Sequence, residues 1–466
     1  MTPTNLKKAA LAVAMAGAFA SGSAFALGPN ISPQIELFVS GASAQDNNFG
    51  ALFKDLCQAG TLDTYLDNAD PAKPGAKHRA FFCTVLGTKV PGLGGNRNVL
   101  LHKRSEGGSG WGVQPIANHT KMDHMNIDVS NCTETPVGSH NWLCNLTAAG
   151  AVTKEYSDAG LSDVEPRQFK GVNVPSGFTA ITAAQLARLK TQSPSALVFG
   201  VTVNTKLRNA LQKALGKTVG SETAANMPSL TKAQIINLMK ASGTGRITRW
   251  SQLKINGKAL TAVPGVTPPA DTKVRICRRV RGSGTQTQHN IKFLENPCQP
   301  GLTPAETSNN STGPIVNLGS GSGDLEACQA AADAANLWSI GIQSTEKNAD
   351  GSKPYRFVKV DNQLPTLANA VANKYFDWVE ISMQWLKSGI AGAPTGSKLA
   401  LLSTLAKNLG KPTIIAKENT KFKYKWGQGG YLGLKSNGYN GAFNATTYPV
   451  TPYSHKGNSC NTPVKL

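Results

Sequence analysis

Val274-Arg275-Ile276-Cys277-Arg278-Arg279-Val280-Arg281-Gly282-Ser283-Gly284-Thr285 decides the fold. Val274 to Cys277 reads as a strand, and it runs through Arg279 into a Gly/Ser loop that opens a helix. The first turn of a helix has unsatisfied N–H groups and a partial positive charge, so this order of elements makes a cradle for an anion. Glycine lets the backbone come close, Ser283 and Thr285 add hydroxyl donors, and Arg279 adds a cation. A dehydrated oxyanion needs many donors at once, because burying it unpaired is costly.

The same pattern occurs twice upstream. Ile35 to Val39 reads as a strand and leads into a loop from Ser40 to Gln45. Asn98 to Leu101 reads as a second strand, followed by the loop from Ser105 to Gly112. Further strands are expected at Leu197–Asn204 and Ser339–Ile342. Helices are expected at Thr231–Lys240, Asp324–Leu337 and Tyr375–Leu386. Short apolar runs alternating with helical stretches point to α/β layers. Residues 118–150 are polar and read as an insertion. The stretch from Lys411 onward is rich in Gly, Asn, Tyr and Lys and reads as loops or an irregular cap.

The amino terminus reads as a targeting segment. Lys7 and Lys8 are followed by the apolar run Ala9 to Ala20, and Ala24-Phe25-Ala26 fits a small-x-small cleavage pattern. The run is shorter than the roughly twenty residues a membrane span requires. The expected mature chain begins near Leu27, has no membrane span, and is periplasmic or secreted. All eight cysteines follow the signal: Cys57, Cys83, Cys132, Cys144, Cys277, Cys298, Cys328 and Cys460. An even number in an exported chain implies disulfides. Proximity pairs Cys57 with Cys83 and Cys132 with Cys144; the last four allow three pairings.

The chain has 466 residues, 48 basic and 27 acidic, for a net charge of +21. That suits anionic ligands. The densest basic run, Lys273 to Arg281, comes without zinc-finger spacing, an RNA-binding aromatic motif or a heptad repeat, so no nucleic-acid partner is expected.

In this order the motifs resemble the periplasmic phosphate-binding receptors that serve ABC phosphate importers. Val39-Ser40-Gly41-Ala42-Ser43-Ala44 is similar to the family's opening loop, and Ser105 to Gly112 to its serine–glycine loop. Asp158 to Asp163 resembles its short Ser-Asp segment, Gly245 to Trp250 its Gly-x-Ile-x-x-Trp turn, and Arg279 to Thr285 its most specific piece. Ser339 to Ile342 and Leu364 to Asn369 continue the order.

The resemblance implies two α/β lobes joined by a hinge, with an anion clamped in the cleft between them. The implied lobes are 27–201 with 344–410, carrying the insertion, and 202–343, with 411–466 as a C-terminal extension. The implied ligand residues are Ser43, Ala44, Gln45, Ser109 and Asp163 from the first lobe, and Arg279, Ser283, Gly284 and Thr285 from the second. Arg279 would make charge-assisted hydrogen bonds. Asp163, able only to accept when ionised, would take the ligand's proton and so favour hydrogen phosphate over sulfate. The implied protein is a monomeric solute-binding protein that takes up phosphate or a related oxyanion with an ABC permease, without cofactor or catalysis.

Two departures bear on the ligand. Gln45 and Asp46 stand where the family often has Thr and an aromatic residue, and Arg281 stands where it often has an acid. Arg281 either balances Asp46 or suits a larger phosphorylated ligand. Other functions have weaker signals in the sequence. Gly107-Gly108-Ser109-Gly110-Trp111 approaches the nucleophile elbow of a secreted hydrolase but lacks the final glycine. His119, His124, Cys132, His140 and Cys144 cluster without zinc spacing. A surface-associated protein reusing the binding fold would share the basic charge.

Overall fold

Ile35–Gly41 is buried at all five positions from Leu37 to Gly41, as befits a strand covered on both faces. The computed structural model describes residues 27–70, 74–308 and 311–466; the expected signal segment lies outside the described residues. Ile35–Gly41 sits inside a nine-stranded sheet, between Arg97–Arg104 and Ala159–Ser162, and runs parallel to both. Outward from Ala159–Ser162 lie Ser382–Leu386 and Leu189–Gln192. Outward from Arg97–Arg104 lie His78–Val85, Asp63–Asp67, Asn141–Cys144 and Cys132–Glu134. The last two strands come from the expected insertion, which extends the sheet edge and shares a small core with Tyr65, Phe82 and Leu100.

The second sheet has eight strands. Arg275–Arg279 runs parallel to Ile315–Gly319 on one side and Ser339–Ser344 on the other. Ser339–Ser344 pairs with Ser195–Asn204, which also pairs with Tyr355–Phe357, Trp378–Glu380 and Tyr431–Leu434. Each sheet has its own large apolar core. The architecture is a two-lobed α/β fold.

Ser195–Asn204 is shared by the two cores. All ten of its residues are buried. Leu197 and Phe199 pack in the first core, whereas Ala196, Val198, Val201 and Val203 pack in the second. The side facing the second core therefore switches around Gly200, where an added Cβ would lie 2.7 Å from the Phe357 ring.

Three expectations need correction. Tyr375–Leu386 is not a helix but the two strands Trp378–Glu380 and Ser382–Leu386. Every residue from Trp378 to Leu386 is buried, and a run buried on both faces has no alternation to distinguish it from a helix. The chain does not return to the first lobe at Ile342–Ser344. Val358, Val360, Leu367, Tyr375 and Trp378 fill the second core, and the first sheet is rejoined at Ser382. Residues beyond Lys411 are an irregular cap only in part. They form the helix Pro412–Asn419 and the strands Tyr431–Leu434 and Val450–Thr451 of the second sheet.

The eight cysteines form four disulfides: Cys57–Cys83, Cys132–Cys144, Cys277–Cys328 and Cys298–Cys460. The third pins strand Arg275–Arg279 to the helix Ser322–Ala334. The fourth fastens the C-terminal loop just beyond the helix Gly284–Leu294.

Candidate functional site

Parallel strands place their carboxyl ends side by side, and ligands of open α/β sheets bind there. The ends of Ile35–Gly41, Arg97–Arg104 and Ala159–Ser162 deliver the loops bearing Gln45, Ser109 and Asp163. These loops meet at Asp163, which is 2% exposed. Gln45 Nε2 donates to Asp163 Oδ1 at 3.3 Å, and Ser109 Oγ donates to Oδ2 at 3.4 Å. The Asp163 N–H in turn donates to Ser109 Oγ at 3.1 Å. Burial pushes the Asp163 carboxyl above its usual range, opposed by Gln45, Arg279, Ser109 and Lys103.

The second lobe presses directly on this group. A Cβ added to Gly284 would lie 2.2 Å from Ser109 Oγ and 2.6 Å from Asp163 Oδ2, so the closed arrangement requires glycine there. Gly110 N–H donates to the Gly282 carbonyl at 2.7 Å, a backbone hydrogen bond between the lobes. Gly108 has φ +74° with ψ −158°, a conformation open essentially to glycine alone. This lets the first loop pass over Ser283, whose Cα would be 3.3 Å from a Cβ on Gly108.

Arg279 ends its strand and is buried. Its Nε donates to the Gly319 carbonyl at 3.3 Å, Nη1 to Ser322 Oγ at 3.2 Å and Nη2 to the Ser320 carbonyl at 2.6 Å. Those three acceptors fix the guanidinium plane, yet a guanidinium has five N–H donors. Burial lowers its pKa to about 10, with Asp163 opposing the shift, so it keeps its charge at neutral pH. Ser283 caps the helix Gly284–Leu294, its Oγ accepting from Gln286 N–H at 3.4 Å, which leaves its own hydroxyl hydrogen to donate elsewhere. Thr285 is buried in the first turn of that helix.

The remaining candidates lie to one side. Ser43 Oγ is 3.5 Å from Ser322 Oγ across the lobes, and the Ala44 carbonyl accepts from Tyr431 OH at 2.6 Å. The structure brings Gln45, Ser109, Asp163, Arg279, Ser283 and Gly284 together. It gives Ala44 a packing role in the first core.

The structure also answers the question of Arg281. That residue is half exposed and pairs with Glu306, Nε to Oε2 at 2.8 Å. Asp46 is balanced instead by Lys103 at 3.0 Å and Arg79 at 3.5 Å, and it accepts from Ser105 Oγ at 2.7 Å. Burial pushes the Asp46 carboxyl up, but Lys103 and Arg79 outweigh it and hold it below its usual value. Lys103 also donates to the Gly41 carbonyl and to Ser105 Oγ, each at 2.9 Å. Sequence reasoning missed Arg79, Lys103 and Ser105 as members of this group, and it missed the loop Gly319 to Gly323. That loop follows a strand and opens the helix Ser322–Ala334, the signal already used for the other three.

Between the lobes, an open cleft of about 190 Å³ adjoins the site. Ser43, Asp46, Arg79 and Ser105 line one wall, and Ser322 and Lys347 line the other. The other chemistries find different surroundings. Ser109 Oγ bonds to Asp163 rather than to an imidazole. Cys132 and Cys144 are bonded to each other, while His124 faces Ser157 Oγ at 3.0 Å and His119 stacks on Tyr156.

No family model matches the chain, and no curated protein matches it. Solved structures do. A protein assigned as a phosphate ABC transporter substrate-binding protein, solved with bound phosphate, from Clostridium perfringens is similar over 82% of this chain and 97% of its own, at 15% identity and a TM-score of 0.42. An ABC-type phosphate transport receptor from Vibrio cholerae is similar over 83% of this chain and 98% of its own, at 12% identity and a TM-score of 0.39. PstS from Borrelia burgdorferi is similar over 83% of this chain and 97% of its own, at 10% identity and a TM-score of 0.35.

Proposed function

We propose that this protein is an exported solute-binding protein that closes its two lobes on an oxyanion, phosphate foremost, and hands it to an ABC-type permease. One observation carries the reading: a buried, charged Arg279, two helix N-termini and the acceptor Asp163 converge where the lobes meet. Arg279 and the helix starting at Gly284 supply charge and N–H donors from the second lobe. Ser109 and Ser283 supply hydroxyls. Asp163 accepts, which favours a ligand that still carries a proton. The ligand-binding set is therefore Gln45, Ser109, Asp163, Arg279, Ser283, Gly284 and Thr285, with Ser43 at its edge.

Titration calorimetry with phosphate and sulfate, after removal of any co-purified ligand, tests this. Wild type is expected to bind phosphate more tightly than sulfate. Arg279→Ala should weaken every oxyanion by about 2–5 kcal/mol, the usual cost of truncating one partner of a buried charged hydrogen bond. Asp163→Asn should narrow the gap between phosphate and sulfate, since the amide can donate as well as accept. If wild type binds neither anion, the reading is wrong.

A further inference from the structure

Gln45 is fully buried and is one of the two departures from the family pattern at this loop. Its Nε2 donates to Asp163 Oδ1, which fixes the orientation of the amide. Turned the other way, its carbonyl would face an ionised carboxylate. Its Oε1 then has no hydrogen-bond partner among the described residues. A buried carbonyl left unpaired is destabilising. Beside it, among the described residues Asp163 Oδ2 receives only the 3.4 Å contact from Ser109. Two under-used acceptors thus belong to side chains that are hydrogen-bonded to each other.

We infer, building on the oxyanion reading above, that the closed site takes its phosphate together with two protons, one for Asp163 and one for Gln45 Oε1. A fully ionised tetrahedral anion has no hydrogen for either acceptor. The hydrogen phosphate dianion has one, and the dihydrogen monoanion has two.

The local charges lead to the same count. Arg279, Lys103 and Arg79 face Asp163 and Asp46 across this group. Within this group three cations against two carboxylates leave one positive charge, while Asp67, Asp70, Lys77, Glu106 and Asp324 also line the adjoining cleft. A monoanion cancels it; a dianion leaves a surplus negative charge in a dry site, which is costly. Asp324 also faces Arg279 but is solvent-exposed, and Lys347 farther along the cleft is matched by Glu346 at 3.0 Å. The proton on the acceptor side can equally sit on Asp163, whose carboxyl burial already favours the neutral form. Neutral Asp163 with the dianion contains the same atoms as ionised Asp163 with the monoanion.

The consequence is proton uptake on binding. Above the second ionisation of phosphate, each phosphate bound should take up about one proton, and affinity should fall about tenfold per pH unit. Calorimetry on the full mature chain at mildly alkaline pH, in two buffers of different ionisation heat, reads that number directly. Phosphate binding without proton uptake overturns the inference and leaves the oxyanion reading intact. Absence of phosphate binding at every pH overturns both.

Gln45→Met keeps the volume and removes the Oε1 acceptor, together with the Nε2 donor to Asp163 that every anion would meet alike. It should weaken phosphate about tenfold, the loss of roughly one hydrogen bond, while leaving sulfate unchanged or tighter. Equal weakening of the two anions would show a loosened loop and refute the role given to Oε1.

Discussion

At Gly284 a single hydrogen atom decides whether the lobes can meet. Any side chain there would collide with Ser109 Oγ and Asp163 Oδ2. Gly284→Ala should therefore leave each lobe folded and hold the cleft open. Phosphate affinity should fall by two orders of magnitude or more, in line with the 2–5 kcal/mol lost when buried polar partners separate, while the melting temperature without ligand barely moves. Equal binding by wild type and variant would refute the closed geometry. This position and its neighbours were readable in the sequence, because Arg279, Gly282 and Ser283 follow one another where a strand runs into a loop. Lys103 and Arg79 were not. Both stand in strands where a charged residue usually marks a solvated face, and only the register of His78–Val85 against Arg97–Arg104 brings them to Asp46.

The strand–loop–helix units were legible because they combine local signals, an apolar run followed by glycines, with a capping hydroxyl added at Ser283. Ser283 and Thr231 both cap helices as such signals suggest. Tyr375–Leu386 failed because total burial erases periodicity. The C-terminal stretch failed because a four-residue strand such as Tyr431–Leu434 gains its identity from its partner, Ser195–Asn204. The loop after it is gripped from both lobes. Glu165 accepts from Ser459 N–H at 2.6 Å and Oγ at 2.7 Å, and Glu380 accepts from His455 N–H and Ser454 Oγ, each at 2.7 Å. Cys298–Cys460 adds the covalent tie. Replacing both cysteines with serine should lower stability by about 2–4 kcal/mol, read as a lower midpoint in denaturant. An unchanged midpoint would mean that the carboxylates alone hold the loop.

Across the whole molecule, several histidines are buried and neutral. Burial pushes His289 and His455 down to about 3 and His78 down to about 4. An unfolded histidine titrates near 6.5, so the unfolded chain binds more protons than the folded one once pH drops below that value. Stability present above about pH 6.5 should then decline as pH falls towards 4, by up to about 1.4 kcal/mol per pH unit for each such group. Asp377 works in the opposite direction, burial raising it to about 7, and so do Asp63, Asp158, Asp163 and Glu346, which burial also raises, while His124 is lowered like the other three histidines. Denaturant titrations at neutral and mildly acid pH check the slope; a flat profile would contradict it. His289→Gln should flatten the profile in part.

The strand Ser195–Asn204 has one more consequence, for how such a chain can change over time. A flexible linker would let either half be duplicated, exchanged or shed by recombination. Here the joining segment is interior to both halves, with Leu197 and Phe199 in one core and Val201 and Val203 in the other. A break on either side of it would take an inner strand from one half and leave an exposed apolar stub on the other. The two halves can therefore diverge residue by residue but must be inherited as one piece.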